Sequence, residues 1–421
     1  MKLSHKVSLA ATFLAVTVSI HTAAARQVEV DEPPERPNIV VILTDDQDVY
    51  SMPAMRNLNA YPEGSWINFT NAFVNDSVCA PSRATLLTGQ YSHNHKVTTN
   101  NFSLFNPTRT LPVWLNDAGY NTALLGKYHL QRGHTRTPPG WDYFSSKPFP
   151  NEVDSRNQQA IDYLNTQTAD SPFFLIVSYY APHAPAYPPE RYKNVDVFVP
   201  EVRANVNELD VSDKPIWVRR FRLIPEYVLR LKREVQTNKQ RELLAIDDGV
   251  AAIIDTLKAR ELLDNTVVIF YSDNGHLYGS HRYFGKWCPY EECSRVPLLI
   301  RYPGTPENRD EPRFVSNVDL AATIAEIAGA TPTIPQDGRS LLPLLDNTAT
   351  EWRDSVLLER HPGTDYYGIT TPGWKYVEFD NGFKELYDLT LDPFEMQNAA
   401  NRPEYLAQQA LLAQQLRDLR N

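Results

Sequence analysis

Short, β-branched apolar runs alternate along the chain with longer helix-like stretches. Asn38-Ile-Val-Val-Ile-Leu-Thr44 is too short and too β-branched for a helix and reads as a buried strand. Residues 121–126, 173–179, 266–272 and 296–301 have the same character. Helix-like segments lie between them, at 112–118, 155–165 and 239–263. This alternation predicts βαβ units and a mostly parallel sheet covered on both faces, an α/β fold. Residues 26–37, rich in Pro and Glu, read as an extended lead-in. No repeat or low-complexity tract stands out.

The polar residues after each strand carry the chemistry. The first strand runs into Asp45 and Asp46, and 266–272 runs into Asp273 and Asn274. Strand 121–126 leads to Lys127 and His129, and 173–179 to His183. Ligands of open α/β sheets bind beyond the carboxyl ends of the strands. One polar strand end means little, and an adjacent Asp pair by itself is more often a turn or helix cap. Four such ends together predict a site. Three carboxylates and an amide suit a hard cation such as Ca²⁺ or Mg²⁺, whereas zinc recruits more His or Cys. Cys79-Ala-Pro-Ser-Arg83 reads as a loop entering a helix that Gly89 can end, with Cys79 at the positive end of the dipole and Arg83 one turn on.

Composition narrows the classes. The length of 421 residues allows a large domain with a smaller appended one. A net charge of −10 argues against a nucleic-acid partner, though a metal and local cations can still draw an anion into a pocket. Lys2 and Lys6, the apolar run 7–20 and Ala23-Ala24-Ala25 read as a signal peptide over 1–25. That predicts the secretory pathway with an extracellular or periplasmic destination, a lysosomal one also being open in a eukaryote, and no stable membrane insertion once the signal is removed. Of the three cysteines, Cys288 and Cys293 are close enough to pair, which leaves Cys79 either buried and inert or chemically used.

Cys79-Ala-Pro-Ser-Arg83 followed by Ala-Thr-Leu-Leu-Thr-Gly-Gln-Tyr91 resembles the signature of the type I, formylglycine-dependent sulfatases. The resemblance runs from about Pro37 to Asn398, through Gly126-Lys-Tyr-His129, Pro182-His-Ala-Pro185, Ser272-Asp-Asn-Gly275, Gly285-Lys286, Tyr290-Glu-Glu292, Arg295-Val-Pro297 and Glu385-Leu-Tyr-Asp-Leu389. Within the family, Thr44-Asp-Asp-Gln-Asp48 and Tyr91-Ser-His-Asn-His95 resemble the N-acetylglucosamine-6-sulfatase branch, which removes 6-O-sulfate from glycosaminoglycan sugars.

The resemblance implies an alkaline-phosphatase-like α/β sandwich over 26–350, and over 351–421 a small antiparallel sheet with a terminal helix. Strand-like 366–370 and 375–379, a hairpin signal at 380–382 and a helix-like tail over 403–419 fit that ending. It implies that a formylglycine-generating enzyme oxidises Cys79 before folding. Asp45, Asp46, residue 79, Asp273 and Asn274 would hold Ca²⁺. The aldehyde hydrate would attack the sulfur of a sulfated carbohydrate or aryl sulfate. Arg83, Lys127 and Lys286 would neutralise the sulfate, His183 would protonate the leaving alcohol, and His129 would act as base. His93, Asn94, His95, His276 and His281 read equally as sugar contacts or as structural groups. Asn68, Asn75 and Asn101 open glycosylation sequons. An arylsulfatase of other specificity, a phosphodiesterase or phosphonate hydrolase of the superfamily, and a non-catalytic glycan-binding protein are the other readings.

Overall fold

A computed structural model describes residues 36–60, 66–133, 136–147, 151–199, 203–305, 308–360 and 365–420. The proposed signal peptide and most of the lead-in lie outside them. The buried runs form one eight-stranded sheet, in the order Arg309–Glu311, Trp66–Phe69, Leu298–Arg301, Thr266–Ser272, Asn38–Thr44, Phe173–Ser178, Asn121–Gly126 and Tyr143–Ser145. The last five run parallel.

The alternation of side chains along a strand divides the core in two. Val40 and Ile42 face the helices Glu152–Asn165 and Glu226–Ala259, packing with Val153, Leu164, Ile246 and Ile253. Ile39, Val41 and Leu43 face the other way, toward Ala84, Leu87, Trp114 and Ile324 on the helices Cys79–Thr88, Leu111–Asp117 and Val318–Ala328. A strand buried on both faces must be apolar at every position, which is why Asn38–Thr44 shows no polar alternation.

Two elements depart from the sequence expectation. The last apolar run, expected over 296–301, spans Leu298–Arg301 and lies antiparallel to Thr266–Ser272. The segment between them has a hairpin of two-residue strands and, as its helix, just Glu291–Ser294, too little for a crossover, so the chain comes back down the sheet. The helix expected over 239–263 spans Glu226–Ala259. Its buried residues begin at Lys239, so the earlier turns lack the apolar stripe that marks a helix in sequence.

The C-terminal sheet is antiparallel, in the order Val356–Arg360, Tyr366–Thr371, Trp374–Phe379 and Lys384–Asp388, with Leu406–Arg420 packed on it. Gly382, at φ 82°, makes the turn that Asp380-Asn381-Gly382 signalled. Tyr91 and Val318 of the main body share a core with Leu357, Ile369 and Leu416. The described residues cluster as one compact unit.

Candidate active site

Strand register gathers the site. Leu43 pairs with Ser178, Ser178 with Gly126, and Thr44 with Ser272, so these strands finish at one level. The next residues are tied across the sheet edge. Lys127 N–H donates to Ser178 O (2.8 Å), Asp273 N–H to Thr44 O (3.1 Å) and Asp45 N–H to Ala181 O (3.2 Å). Gly126 is required where it stands. Its φ is 110°, and a Cβ there would lie 1.7 Å from Ser178 O. Opposite this edge the Cys79–Thr88 helix begins at Cys79 and is closed by Gly89 in the left-handed region.

One ligand atom each from Asp45, Asp46, Cys79 and Asp273 lies within 4.8 Å of the others. Cys79 is 2% exposed, and its Sγ is 3.3 Å from Asp45 Oδ1, 2.6 Å from Lys286 Nζ and 3.4 Å from Lys127 Nζ. Lys127 pairs with Asp45. Lys286 Nζ is 2.5 Å from Asp46 Oδ1. Arg83 donates from Nε to Asp273 (2.8 Å) and from Nη1 to Lys127 O (2.6 Å) and Ser178 Oγ (2.7 Å), while its buried Nη2 has no partner among the described residues. Asn274 donates from Nδ2 to Asp46 Oδ1 (2.7 Å) and Gly275 O (2.9 Å), turning its Oδ1 toward Lys286 (3.5 Å).

Three carboxylates thus meet three cations in a water-poor cleft. Burial opposes ionisation of Asp45, but the charge of Lys127, with Lys286 and Arg83, holds it down to about 2. At Asp273 burial and the nearby Asp45 prevail over Arg83 and raise the carboxyl. Burial works against the charge of Lys286, and Asp46 outweighs it, keeping the ammonium well above its usual range. The Cys79 thiol is pushed far up by burial and by Asp45, so the unmodified side chain is a protonated, poor nucleophile. Carboxylate oxygens with an amide oxygen at hand, and no imidazole nitrogen in the set, fit a hard cation such as Ca²⁺ better than zinc.

His183 stands at the rim, with its side chain 44% exposed and Nε2 3.7 Å from Asp46 Oδ2. Its Nδ1 donates to Ala184 O (2.6 Å), which fixes the ring and leaves Nε2 toward the cleft. His129 sits at φ 61° with Nε2 buried and unpartnered among the described residues. Burial, then the charges of Lys127 and Arg83, lower it to about 3, so the ring is neutral.

Other sequence candidates have partners within the fold. His93 Nδ1 pairs with Glu359 (2.7 Å), His95 with Thr85 Oγ1 (3.0 Å), Asn94 with Asp337 (2.8 Å) and His281 with Glu208 (2.7 Å). Asn75 is 1% exposed and donates to Glu359, closing that sequon to a glycan, whereas Asn101 is exposed. His276 is half-buried and lies against Tyr278, ring centroids 4.8 Å apart. Two groups that sequence reading passed over join the site. Ser178 receives Arg83. Lys239 is buried and donates to Tyr278 Oη (3.1 Å), and its charge helps hold Asp46 down. Lys239 falls on the stripe of Leu243, Ile246 and Val250, and a cation on an apolar stripe was the available signal. Cys288 and Cys293 are disulfide-bonded just after Lys286. Tyr290 behind them donates to Glu385 (2.9 Å), and Lys375 Nζ lies 2.9 Å from Glu291 Oε1, which anchors that loop on the C-terminal sheet.

A mostly parallel sheet with acidic ligands and buried cations at its carboxyl edge is the architecture of the alkaline-phosphatase-like hydrolases. Residues 37–330 match the sulfatase family, and residues 279–421 match the N-sulphoglucosamine sulphohydrolase C-terminal family. The chain therefore belongs to the sulfatase family of sulfuric ester hydrolases. It is 27% identical over 489 residues to the N-acetylglucosamine-6-O-sulfatase of Bacteroides thetaiotaomicron, covering 92% of this chain and 87% of that protein. It is 31% identical over 372 residues to the Sulf-1 homologue of Caenorhabditis elegans, covering 77% of this chain and about half (52%) of that relative's length. A solved structure in complex with its substrate D-glucosamine-2-N,6-O-disulfate superposes with TM-score 0.80 at 26% identity, covering 91% of this chain and 97% of that one. The phosphonate monoester hydrolase of Agrobacterium radiobacter shares the fold, with TM-score 0.79 at 24% identity and coverage of 91% and 95%.

Proposed function

We propose that this protein is secreted and removes 6-O-sulfate from N-acetylglucosamine in sulfated glycans, with residue 79 carried as formylglycine and Ca²⁺ held by Asp45, Asp46, residue 79, Asp273 and Asn274. The observation that carries this reading is the convergence of Asp45, Asp46, Cys79 and Asp273 within 4.8 Å, beside the ammonium groups of Lys127 and Lys286. The carboxylates and cations balance, so the cleft accepts a divalent cation and an anionic ester together. When bound, Ca²⁺ supplies a hard positive centre for sulfate oxygens, and formylglycine supplies a hydrated aldehyde as nucleophile. The enclosure of Cys79 supports conversion by a formylglycine-generating enzyme before the chain folds.

The chain's own groups then have distinct tasks. Arg83 fixes Asp273, and its buried Nη2, without a partner among the described residues, is available to a sulfate oxygen. Lys127 and Lys286 neutralise sulfate oxygens as charge shifts in the transition state. His183 delivers a proton from Nε2 to the leaving alcohol, and neutral His129 accepts one from the nucleophile. The likeness to an N-acetylglucosamine-6-O-sulfatase, and to a solved structure that holds a 6-O-sulfated glucosamine as its substrate, supports the sugar assignment. Among the described residues no helix is long and apolar enough to cross a membrane.

The test is turnover of N-acetylglucosamine 6-sulfate, 4-nitrophenyl sulfate and the phosphonate monoester 4-nitrophenyl phenylphosphonate by protein whose residue 79 is verified as formylglycine. The sulfated sugar is expected to give the highest kcat/KM. Faster phosphonate cleavage would make this a phosphonate hydrolase. Faster cleavage of the aryl sulfate would remove the sugar assignment. No turnover of any of the three would leave a glycan-binding protein.

A further inference from the structure

The first turns of the Glu226–Ala259 helix, and the loop before it, differ in charge from the rest of this acidic chain. Between Arg219 and Arg241 there are six Arg and two Lys against Glu226 and Glu234 alone, in a protein of net charge −10. Arg219, Arg220, Arg222, Arg230, Lys232 and Arg233 are all exposed. Among the described residues none of them forms a salt bridge. The helix buries nothing before Lys239, so packing does not account for these cations. They are free to meet something anionic from outside.

The basic segment leads to the catalytic cleft. Arg230, Lys232 and Arg233 line a pocket of about 260 Å³ whose wall includes Tyr278. Glu226 is its one carboxylate, and Arg203 at its edge is paired with Glu292 (3.2 Å). Tyr278 in turn receives Lys239 (3.1 Å), and its ring lies tilted against that of His276, centroids 4.8 Å apart, two residues beyond Asn274. A track of positive and aromatic groups therefore runs from the exposed helix start to the site.

We propose that residues 219–233, with the pocket beside Tyr278, form a second anion-binding site that holds a polysulfated glycan chain beyond the sugar being cleaved. This rests on the reading of the cleft as a sulfatase site. A polymer of closely spaced sulfates matches a row of unpaired Arg and Lys in charge and repeat, and Arg presents a planar fork suited to sulfate oxygens. Exposed Leu223, Tyr227 and Leu231 in the same segment would also suit an anionic membrane. Continuity with the Tyr278 pocket and the cleft favours the glycan.

The experiment uses full-length, formylglycine-bearing enzyme and the triple variant Arg230→Glu/Lys232→Glu/Arg233→Glu. A matching Ala triple serves where charge reversal disturbs folding, and Arg230→Lys/Arg233→Lys retains the charge. Elution from immobilised heparin is read first, because it needs no turnover. The triple variant should leave at clearly lower salt and the Lys variant near the wild-type position. Kinetics then compare a heparin dodecasaccharide with N-acetylglucosamine 6-sulfate. KM for the oligosaccharide should rise about tenfold or more while the monosaccharide changes less than about twofold. Unchanged heparin elution, or equal losses on both substrates, overturns the proposal. Loss of binding to phosphatidylserine vesicles with heparin binding intact would assign the segment to membranes instead. If neither substrate is turned over, the sulfatase reading fails while heparin elution still reports on the basic segment.

Discussion

Cys79 is enclosed, its thiol held protonated, and it lies 2.6 Å from the Lys286 ammonium. If its function is to carry formylglycine, Cys79→Ala should abolish turnover and leave the fold and its melting temperature nearly unchanged. Mass spectrometry of the peptide spanning residue 79 decides the chemistry, and an unmodified thiol in fully active protein rules it out. His183 gives a second prediction. An alkyl alcohol leaves less readily than a phenol and depends more on its proton, so His183→Ala should cost roughly 10²-fold or more on the sulfated sugar and far less on 4-nitrophenyl sulfate. Comparable losses on both would remove the acid role. At this scale the sequence was informative about residue type, since Asp45, Asp46, Lys127, Asp273 and Asn274 follow directly from strand ends. It was mute about Ser178 and Lys239, which acquire meaning only through partners far along the chain.

At the scale of elements, the buried strands were legible because full enclosure leaves a continuous apolar run, whereas the outer strands Val356–Arg360 and Lys384–Asp388 carry charges that hide them. The long helix was legible only where it has a core to face. On that buried face lies Glu242, which accepts from Tyr187 N–H (2.7 Å) and has its Oε2 unpartnered among the described residues. Burial raises its carboxyl from 4.5 to about 8. The native state keeps this proton where the unfolded chain has lost it, so this group's contribution to stability falls as pH rises from 4.5 to about 8 and is level above that. Glu242→Gln should flatten that slope and stabilise the protein at pH 8 by about 1–2 kcal/mol, read as melting temperature at pH 5 and pH 8. A variant that keeps the full slope would show that another group sets it. The Cys288–Cys293 bridge closes a small loop and should contribute roughly 2–3 kcal/mol, with a larger effect on activity through the placement of Lys286. Cys288→Ser/Cys293→Ser should therefore lower kcat more than its modest loss of melting temperature suggests.

For the molecule as a whole, the acidic cluster couples metal to stability. Three carboxylates crowded within one cleft repel one another, and a divalent cation relieves that repulsion in the folded state alone. Chelation should lower the melting temperature and abolish activity together, and Ca²⁺ at about 100 times its Kd should restore roughly 2.7 kcal/mol. Asp273→Ala should lose metal and activity at once, measured by elemental analysis and turnover, and stoichiometric zinc without calcium or magnesium would refute the assignment. The sequence by itself determined the layered α/β arrangement, the oxygen donors after two strands and the Cys79–Arg83 helix start. Each follows from a local rule: apolar runs must be buried, and polar groups collect where a strand stops. The tertiary structure decided what local rules cannot carry. Register put four strand ends at one level, so residues more than two hundred positions apart share one cleft. Packing on the C-terminal sheet brought His93 and Asn75 together on Glu359. The missing crossover turned Leu298–Arg301 antiparallel, away from the site edge. Side chains acquire partners only when the sheet is assembled, and those partners fix their charge and direction.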